Sequence, residues 1–305
     1  MSTIQIDTCP VCGSKNVTKA FSCTDYYATN EAFGLGKCSS CGFLFTQDFP
    51  SGDSIDRYYD TKDYVSHSNT KKGIVNKLYH IVRNRMMNKK AAIVEAHTRT
   101  SSRWLLDIGC GTGYFLSHMS KRGWSVKGIE KNKEAREFTH RNFGIISNAP
   151  EKMNDFEEFT FGVITLWHSL EHLEKLNETL SKINKLLVEN GTVFIAVPNA
   201  ASADAAYYKE QWAAYDVPRH LWHFTPDTMN IIANKNGFGI EKMYPMPFDA
   251  FYVSMLSEKY KKNSLAFIKG ILIGIKCYLK ASNNVKLSSS VIYVLRKNEV
   301  FNFKM

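Results

Sequence analysis

The stretch LLDIGCGTGYF, Leu105 to Phe115, decides how this chain is read. An apolar run reaches Asp107, and Gly109, Gly111 and Gly113 then stand at every second position before a helical pattern begins. Glycine accepts positive φ, lets backbone N–H groups approach a ligand and packs a helix closely on a strand, so this passage predicts a nucleotide-binding turn. Glu130 closes the next apolar run, WSVKGIE, where an acid in such folds accepts hydrogen bonds from ribose hydroxyls. A dinucleotide fingerprint places its third glycine or alanine one position later, where this chain has Tyr114. Asp107 argues the same way. A carboxylate beside the turn repels a pyrophosphate and suits a ligand with an ammonium group and no phosphate.

Outward from the turn, strands and helices alternate. RWLLDIG, WSVKGIE, FGVITLWH and GTVFIAVPN read as strands, with helices from about Tyr114, after Asn132 and from about Glu174 between them. The expected fold is α/β, a doubly wound, Rossmann-like parallel sheet covered on both faces. A helix from Thr225 and two more strand candidates, GFGIEKMYP and SSVIYVLRKN, complete a domain over residues 101–305. Segments at about 199–225 and 250–285 read as inserted lids or helices. Before it, residues 50–100 form a connector, in which Ile74, Leu78, Ile81, Val82, Met86, Ile93 and Val94 predict an amphipathic helix or helix pair.

Residues 1–49 are cysteine- and turn-rich, too short for a free-standing core, and need a staple. Cys9 and Cys12, then Cys38 and Cys41, form two C-x-x-C knuckles, each followed by glycine. Four thiolates from two such turns predict a closed tetrahedral Zn2+ site of structural type in a zinc-ribbon-like module. Metal binding there contributes on the order of 10 kcal/mol to folding. Iron in a rubredoxin-like site is the alternative, because the ligand set alone does not separate the two metals.

With Glu130 ending the second strand and ITLWHSLEHL ending the fourth, LLDIGCGTGYF resembles the successive motifs of class I S-adenosylmethionine-dependent methyltransferases over roughly Arg103 to Gly237. The resemblance implies S-adenosyl-L-methionine as cofactor, a cation without phosphate. It also implies that Asp107, Gly109, Gly111 and Gly113 line its methionine end, that Glu130 holds its ribose, and that Trp167 lies near the adenine or the methyl group. The zinc-bearing amino terminus makes the chain similar to bacterial sugar C-methyltransferases, and more distantly to ribosomal RNA methyltransferases with a zinc finger. IDRYYDTKDYVSH resembles the tyrosine-bearing segment that folds over the cofactor in the sugar enzymes, which implies that role for Tyr59 and Tyr64.

Methyl transfer to most oxygen or carbon acceptors also requires a base, and reacting groups in doubly wound folds come from loops at the carboxyl ends of strands. WHSLEH offers His168, Glu171 and His172; DVPRHLWHF offers Asp216, Arg219, His220 and His223. Enzymes that methylate exocyclic base nitrogens usually carry an acid or amide, two prolines and an aromatic after the fourth strand. Leu166-Trp167-His168-Ser169 departs from that pattern and disfavours a polynucleotide amine.

The 305 residues are 44% hydrophobic and 22% charged, ordinary for a globular protein, and carry a net charge of +10. Eight basic residues and one acid lie between Lys71 and Arg99, and six lysines with no acid between Lys259 and Lys280. The basic excess therefore belongs to two segments. The first suits a solvated helix or a phosphate backbone. The second, with lysines striping an otherwise apolar helix, suits packing or peripheral membrane contact through 264–281. It does not suit a membrane span, since each central lysine costs about 2.5–3.5 kcal/mol. The amino terminus lacks a secretory pattern, and seven cysteines without a disulfide framework fit the cytoplasm. The expected acceptor is a small or carrier-linked molecule, such as a sugar or cell-surface precursor. RNA methylation and a non-catalytic zinc-bearing binding protein are the alternatives.

Overall fold

A computed structural model describes residues 3–59 and 74–298. The amino-terminal part folds into short strands β1 (Thr3–Ile4), β2 (Val17–Thr24), β3 (Ala32–Cys38), β4 (Leu44–Thr46) and β5 (Phe49–Pro50). A single long helix follows, α1 (Ile74–His97), where the sequence allowed one helix or two. The main domain then runs β6 (Trp104–Ile108), α2 (Tyr114–Ser120), β7 (Ser125–Ile129), α3 (Lys133–Phe143), β8 (Ser147–Asn148), β9 (Phe161–Trp167), α4 (Leu176–Leu186) and β10 (Leu187–Pro198). It continues with α5 (Ala203–Tyr208), β11 (Trp222–His223), α6 (Pro226–Lys235), β12 (Phe238–Pro245), α7 (Asp249–Tyr260), α8 (Ala266–Asn283) and β13 (Ser290–Lys297).

Local chemistry sets the boundaries. The Asn132 side chain accepts a hydrogen bond from the Ala135 amide to open α3, which Gly144 closes in the left-handed conformation, φ 66°. Thr225 and Thr228 cap each other reciprocally at the start of α6, with Pro226 in its first turn.

The main sheet has the order β12-β13-β10-β9-β6-β7-β8. Its central strands are parallel, but β13 runs antiparallel between β10 and β12, which corrects the expectation of a parallel sheet throughout. The reason is the α7–α8 hairpin. A single crossover helix carries the chain to the opposite end of a sheet, whereas two antiparallel helices return it to the end they left, so β13 must run back down. The hairpin thereby sits at the carboxyl ends of β10 and β12, where Pro198 faces Ser290.

Alternate residues of the central strands enter two cores. Leu106, Ile108, Ile164, Leu166, Ile195 and Val197 pack with the α4 and α6 side. Leu105, Val163, Phe194 and Ala196 pack with Ala91, Val94, Leu116 and Met119 of α1 and α2. Burial on both faces explains why these strands read as unbroken apolar runs.

Residues 1–49 are joined to the main domain by a shared sheet. A four-stranded sheet of order β11-β4-β3-β2 takes its edge strand, β11, from the 199–225 segment. The Thr46 hydroxyl donates to His220 O at 2.7 Å, and its amide donates to Leu221 O at 2.9 Å. The segment expected to be a lid is therefore sewn to the cysteine module.

Candidate functional site

The glycine turn folds for identifiable reasons. A Cβ on Gly109 would stand 2.4 Å from Ser169 Cβ, and one on Gly113 2.4 Å from Thr139 Cγ2, so both positions are closed by neighbours. Gly111, at φ +53°, has no atom within 4 Å of that position and faces open space. The outer glycines let the turn pack; the middle one leaves room for a ligand. Glu130 reaches across the turn. Its carboxylate accepts from the Gly111 amide and from the Asn132 amide, both at 2.8 Å.

Asp107 is buried beneath this turn, accepting from the Thr165 hydroxyl at 2.6 Å. Burial pushes its carboxyl up to about 7, although Thr165 and Lys90 pull the other way. Lys90, from α1, holds its ammonium 4.5 Å from the centre of the Trp167 ring. Trp167 meets Phe115 edge-on at 5.3 Å, and its indole N–H is buried without a hydrogen-bond partner. An open cradle at Gly111, an unsatisfied indole N–H and a carboxyl whose ionised form a bound cation would favour fit a cationic nucleoside such as S-adenosylmethionine. Asp107, Gly111, Glu130 and Trp167 are the residues that would hold it.

The second half of the site adjoins the first, because the Ser169 hydroxyl that donates to Ile108 O at 2.7 Å belongs to the WHSLEH loop. His168 stands there at φ 55°, an uncommon conformation for a side-chain-bearing residue and one that concentrates at functional sites. Its Nδ1 is 3.4 Å from Glu171 Oε1 and its Nε2 is 3.2 Å from Asp249 Oδ2. Burial opposes charge on the imidazole, but Asp249 and Glu171 together outweigh it and raise the pKa to about 9. Glu171 is fully buried with neither oxygen hydrogen-bonded.

His172 and His220 meet edge-on, ring centres 4.6 Å apart. His172 Nδ1 lies 2.9 Å from Arg219 O and 3.1 Å from the Tyr59 hydroxyl. A carbonyl only accepts, so Nδ1 carries the proton and Nε2 keeps its lone pair. His220 is oriented in the same way, its Nδ1 2.8 Å from Ala214 O. Burial, then the charge of His220, push the His172 pKa down to about 4, leaving it neutral near pH 7. Ligand atoms of Glu171, His172 and His220 lie within 4.8 Å of one another, an arrangement able to move a proton or to hold a cation.

The DVPRH residues divide between two tasks. Arg219 is a clamp: its guanidinium donates to Asp216 at 3.0 and 2.6 Å, to Asp25 at 2.9 Å and to Tyr58 O at 2.9 Å. His223 lies in the seam with the amino-terminal sheet, its Nε2 3.1 Å from the Thr46 hydroxyl. Burial drives its pKa down to about 3. Tyr59 reaches His172, whereas Tyr64 lies outside the described residues.

The four knuckle cysteines converge. Cys9 and Cys41 sulfurs are 3.6 Å apart, Cys12 and Cys38 sulfurs 3.5 Å, and all four lie within 4.8 Å of one another. A tetrahedral ion with Zn–S bonds of about 2.3 Å needs sulfurs roughly 3.8 Å apart, close to this arrangement. The two turns repeat one geometry: Gly13 N donates to Cys9 O and Gly42 N to Cys38 O, each at 2.8 Å, with φ of 78° and 76° at the glycines.

Sequence reasoning missed Lys90 and Asp249. Lys90 sits in a basic run that reads as solvated, and Asp249 in a stretch without motif character. Only the acid's position in the first turn of α7 marked it, as a capping choice.

A family model described as a methyltransferase domain matches residues 79–242, more than half of the chain. The chain belongs to this methyltransferase family. The match runs from within α1 to within β12, and excludes the cysteine knuckles and the α7–α8 hairpin. A ubiquinone biosynthesis O-methyltransferase of Pelagibacter ubique (strain HTCC1062) is 29% identical over 160 residues, 48% of this chain and 65% of that protein. One of Burkholderia vietnamiensis (strain G4 / LMG 22486) is 29% identical over 113 residues, 35% of this chain and 49% of that protein. The chain thus spans from just under half to just under two thirds of the length of these relatives. Among solved structures, the geranyl diphosphate C-methyltransferase from Streptomyces coelicolor A3(2), in complex with Mg2+, geranyl diphosphate and S-adenosyl-L-homocysteine, gives a TM-score of 0.54 at 14% identity. That likeness covers 81% of this chain and 100% of that one. A geranyl diphosphate methyltransferase in complex with SAM gives 0.50 at 16% identity, over 77% and 95% of the two chains. At these identities the likeness is one of fold, and the methyltransferase domain has that fold.

Proposed function

We propose that this methyltransferase domain transfers a methyl group from S-adenosylmethionine to a hydroxyl on a small or carrier-linked acceptor, of the kind that sugars and cell-surface precursors present. The observation that carries the reading is the shared wall: Gly109 of the cofactor turn packs on Ser169, and the same WHSLEH loop carries His172, so the cofactor turn adjoins the loop that bears the candidate base. The cofactor, when bound, supplies an electrophilic methyl group on a sulfonium.

The chain's own residues do the rest. Asp107, which a bound cation would ionise, and Glu130 are the carboxylates that would hold the cofactor's cationic end and its ribose beside the open position at Gly111. His172 accepts the acceptor hydroxyl's proton on Nε2, with Arg219 O and the Tyr59 hydroxyl holding its tautomer. Glu171, buried and already paired with the His168 imidazole at 3.4 Å, has ligand atoms within 4.8 Å of those of His172 and favours the imidazolium that forms. An oxygen acceptor agrees with the relatives' names, and a neutral histidine suits a hydroxyl proton.

The four cysteines hold a structural zinc ion, which stiffens the sheet that carries His223 and, through Thr46, holds the His220 carbonyl. Cysteines held as zinc thiolates need a reducing surrounding, which the cytoplasm supplies. RNA is not favoured, because three basic groups of α1 turn inward, leaving Arg85 exposed: Lys89 donates to Pro245 O at 3.0 Å, Lys90 covers Trp167, and Arg83 lies 4.0 Å over the Tyr114 ring.

Isothermal titration with S-adenosylmethionine and S-adenosylhomocysteine, followed by turnover with a panel of hydroxylated acceptors, tests the reading. Heat with both nucleosides and formation of the thioether product support it; no heat with either ends it.

A further inference from the structure

We propose that the outer face of the α7–α8 hairpin docks on an anionic lipid bilayer. Of the thirteen large apolar side chains exposed among the described residues, eight lie between Tyr252 and Leu279. Leu265, Phe267, Ile268, Leu272, Ile275, Tyr278 and Leu279 are each 41–67% exposed. An apolar patch of this size on an otherwise ordinary surface marks an interaction site.

The helix has two unlike faces. Gly270, Gly274, Cys277 and Ala281 are buried, and a Cβ on Gly270 would stand 2.6 Å from Met255 Cα, one on Gly274 2.9 Å from Phe251 Cα. Small residues thus bring α8 hard against α7 and fix its rotation. Leu265, Ile268, Leu272, Ile275 and Leu279 recur at three- and four-residue steps on the opposite side, pointing away from the protein. Lys276 and Lys280 are exposed and border that stripe, Lys269 borders it with its ammonium 3.7 Å from Glu258, and Lys259, Lys261 and Lys262 cluster at the end of α7.

These features select the occupant. No acid occurs between Lys259 and Asn298, so two copies meeting face to face would set lysine rim against lysine rim. A bilayer with anionic headgroups takes the leucine and isoleucine side chains into its acyl boundary and the lysines at its charged level. Among the described residues no helix is long and apolar enough to cross a membrane, so the hairpin lies on the surface. α7 links this surface to the site, because Asp249 at its first turn pairs with His168 and its twelve residues span about 18 Å. The docking stands on the surface alone. That the acceptor is presented by a lipid carrier at that bilayer rests on the methyl-transfer reading.

The test is co-sedimentation of the full chain with phosphatidylcholine vesicles and with vesicles containing 30% phosphatidylglycerol (about a third anionic, the regime in which basic segments partition). Wild type should partition at least tenfold more strongly onto the anionic vesicles, with loss at high salt. The triple variant Ile268→Ser, Leu272→Ser, Leu279→Ser, and separately Lys276→Glu with Lys280→Glu, should each lose most of that binding while keeping the wild-type circular dichroism and the calorimetric response to S-adenosylhomocysteine. No partitioning by wild type, or partitioning unchanged in both folded variants, overturns the proposal. So does a concentration-dependent dimer that the serine variant abolishes while vesicle binding is absent. Cofactor heat is measured on the same protein without lipid, so failure of the methyl-transfer reading leaves a separate signature.

Discussion

His168 Nε2 stands 3.2 Å from Asp249 Oδ2, joining the end of β9 to the first turn of a helix 81 positions later. Nothing in either local sequence announces the pair. It holds the WHSLEH loop against the α7–α8 hairpin, and Glu171 on the other ring nitrogen completes a sandwich in which the imidazole is charged. Because the folded pKa is raised to about 9 from the usual 6.5, the pair's contribution to stability is fully present below pH 6.5 and is lost as pH rises through 9. Histidine NMR should find this ring protonated at pH 8. Asp249→Asn should bring its titration down toward 6.5, and a wild-type midpoint already near 6.5 contradicts the assignment.

Asp107 predicts how cofactor affinity depends on pH. Its carboxyl titrates near 7 without a neighbouring ligand cation, and a bound ammonium or sulfonium favours the ionised form. Affinity for S-adenosylmethionine should therefore rise about tenfold per pH unit below 7 and level off above it, with proton release on binding. Titrations in buffers of different ionisation heat read the proton directly. Asp107→Asn should weaken binding and flatten the dependence.

If His172 is the base, its low pKa of about 4 keeps it competent well below the usual histidine range. Turnover should show no loss attributable to this residue between pH 7 and 5. His172→Asn should lower kcat by roughly 10²–10⁴-fold with cofactor affinity nearly unchanged. A change confined to KM would point to acceptor positioning instead.

Arg219 is 4% exposed and Asp25 fully buried, at opposite ends of a 194-residue span. Removing one partner of a buried, hydrogen-bonded ion pair leaves an uncompensated charge, so Arg219→Met should cost about 3–5 kcal/mol in a denaturant titration. The Asp25→Asn, Arg219→Met double variant should recover part of that loss.

The knuckle cysteines predict one zinc per chain by elemental analysis. Cys12→Ser or a strong chelator should remove it and release the β2–β4 sheet, at a cost on the order of 10 kcal/mol to that module. Since β4 carries β11, the loss should also abolish activity, although no cysteine touches the histidine cluster. One equivalent of iron in place of zinc, or no metal at all, would contradict a four-thiolate zinc site.

Strands β6, β7, β9 and β10, the helix starts at Asn132 and Thr225 and the glycine turn are all legible in sequence, whereas the two-residue β8 is not. Each rests on interactions within about twenty residues: alternation buried on two faces, a capping side chain, a positive φ. The two knuckles are legible for the same reason. The antiparallel β13 was not, because a strand's direction depends on how many helices precede it at one end of the sheet. Nor was the sharing of β11 with the cysteine module, since two-residue strands carry no period.

The sequence alone determined the groups available: a glycine turn following Asp107, an acid at Glu130, four cysteines in two knuckles, and histidines gathered at two strand ends. Tertiary structure decided which of them face one another. It gave Arg219 to Asp25 as a clamp and His223 to Thr46 as a seam, and it brought His172 beside His220 and Lys90 over Trp167. Burial and through-space charge set those roles, and both depend on partners from remote parts of the chain.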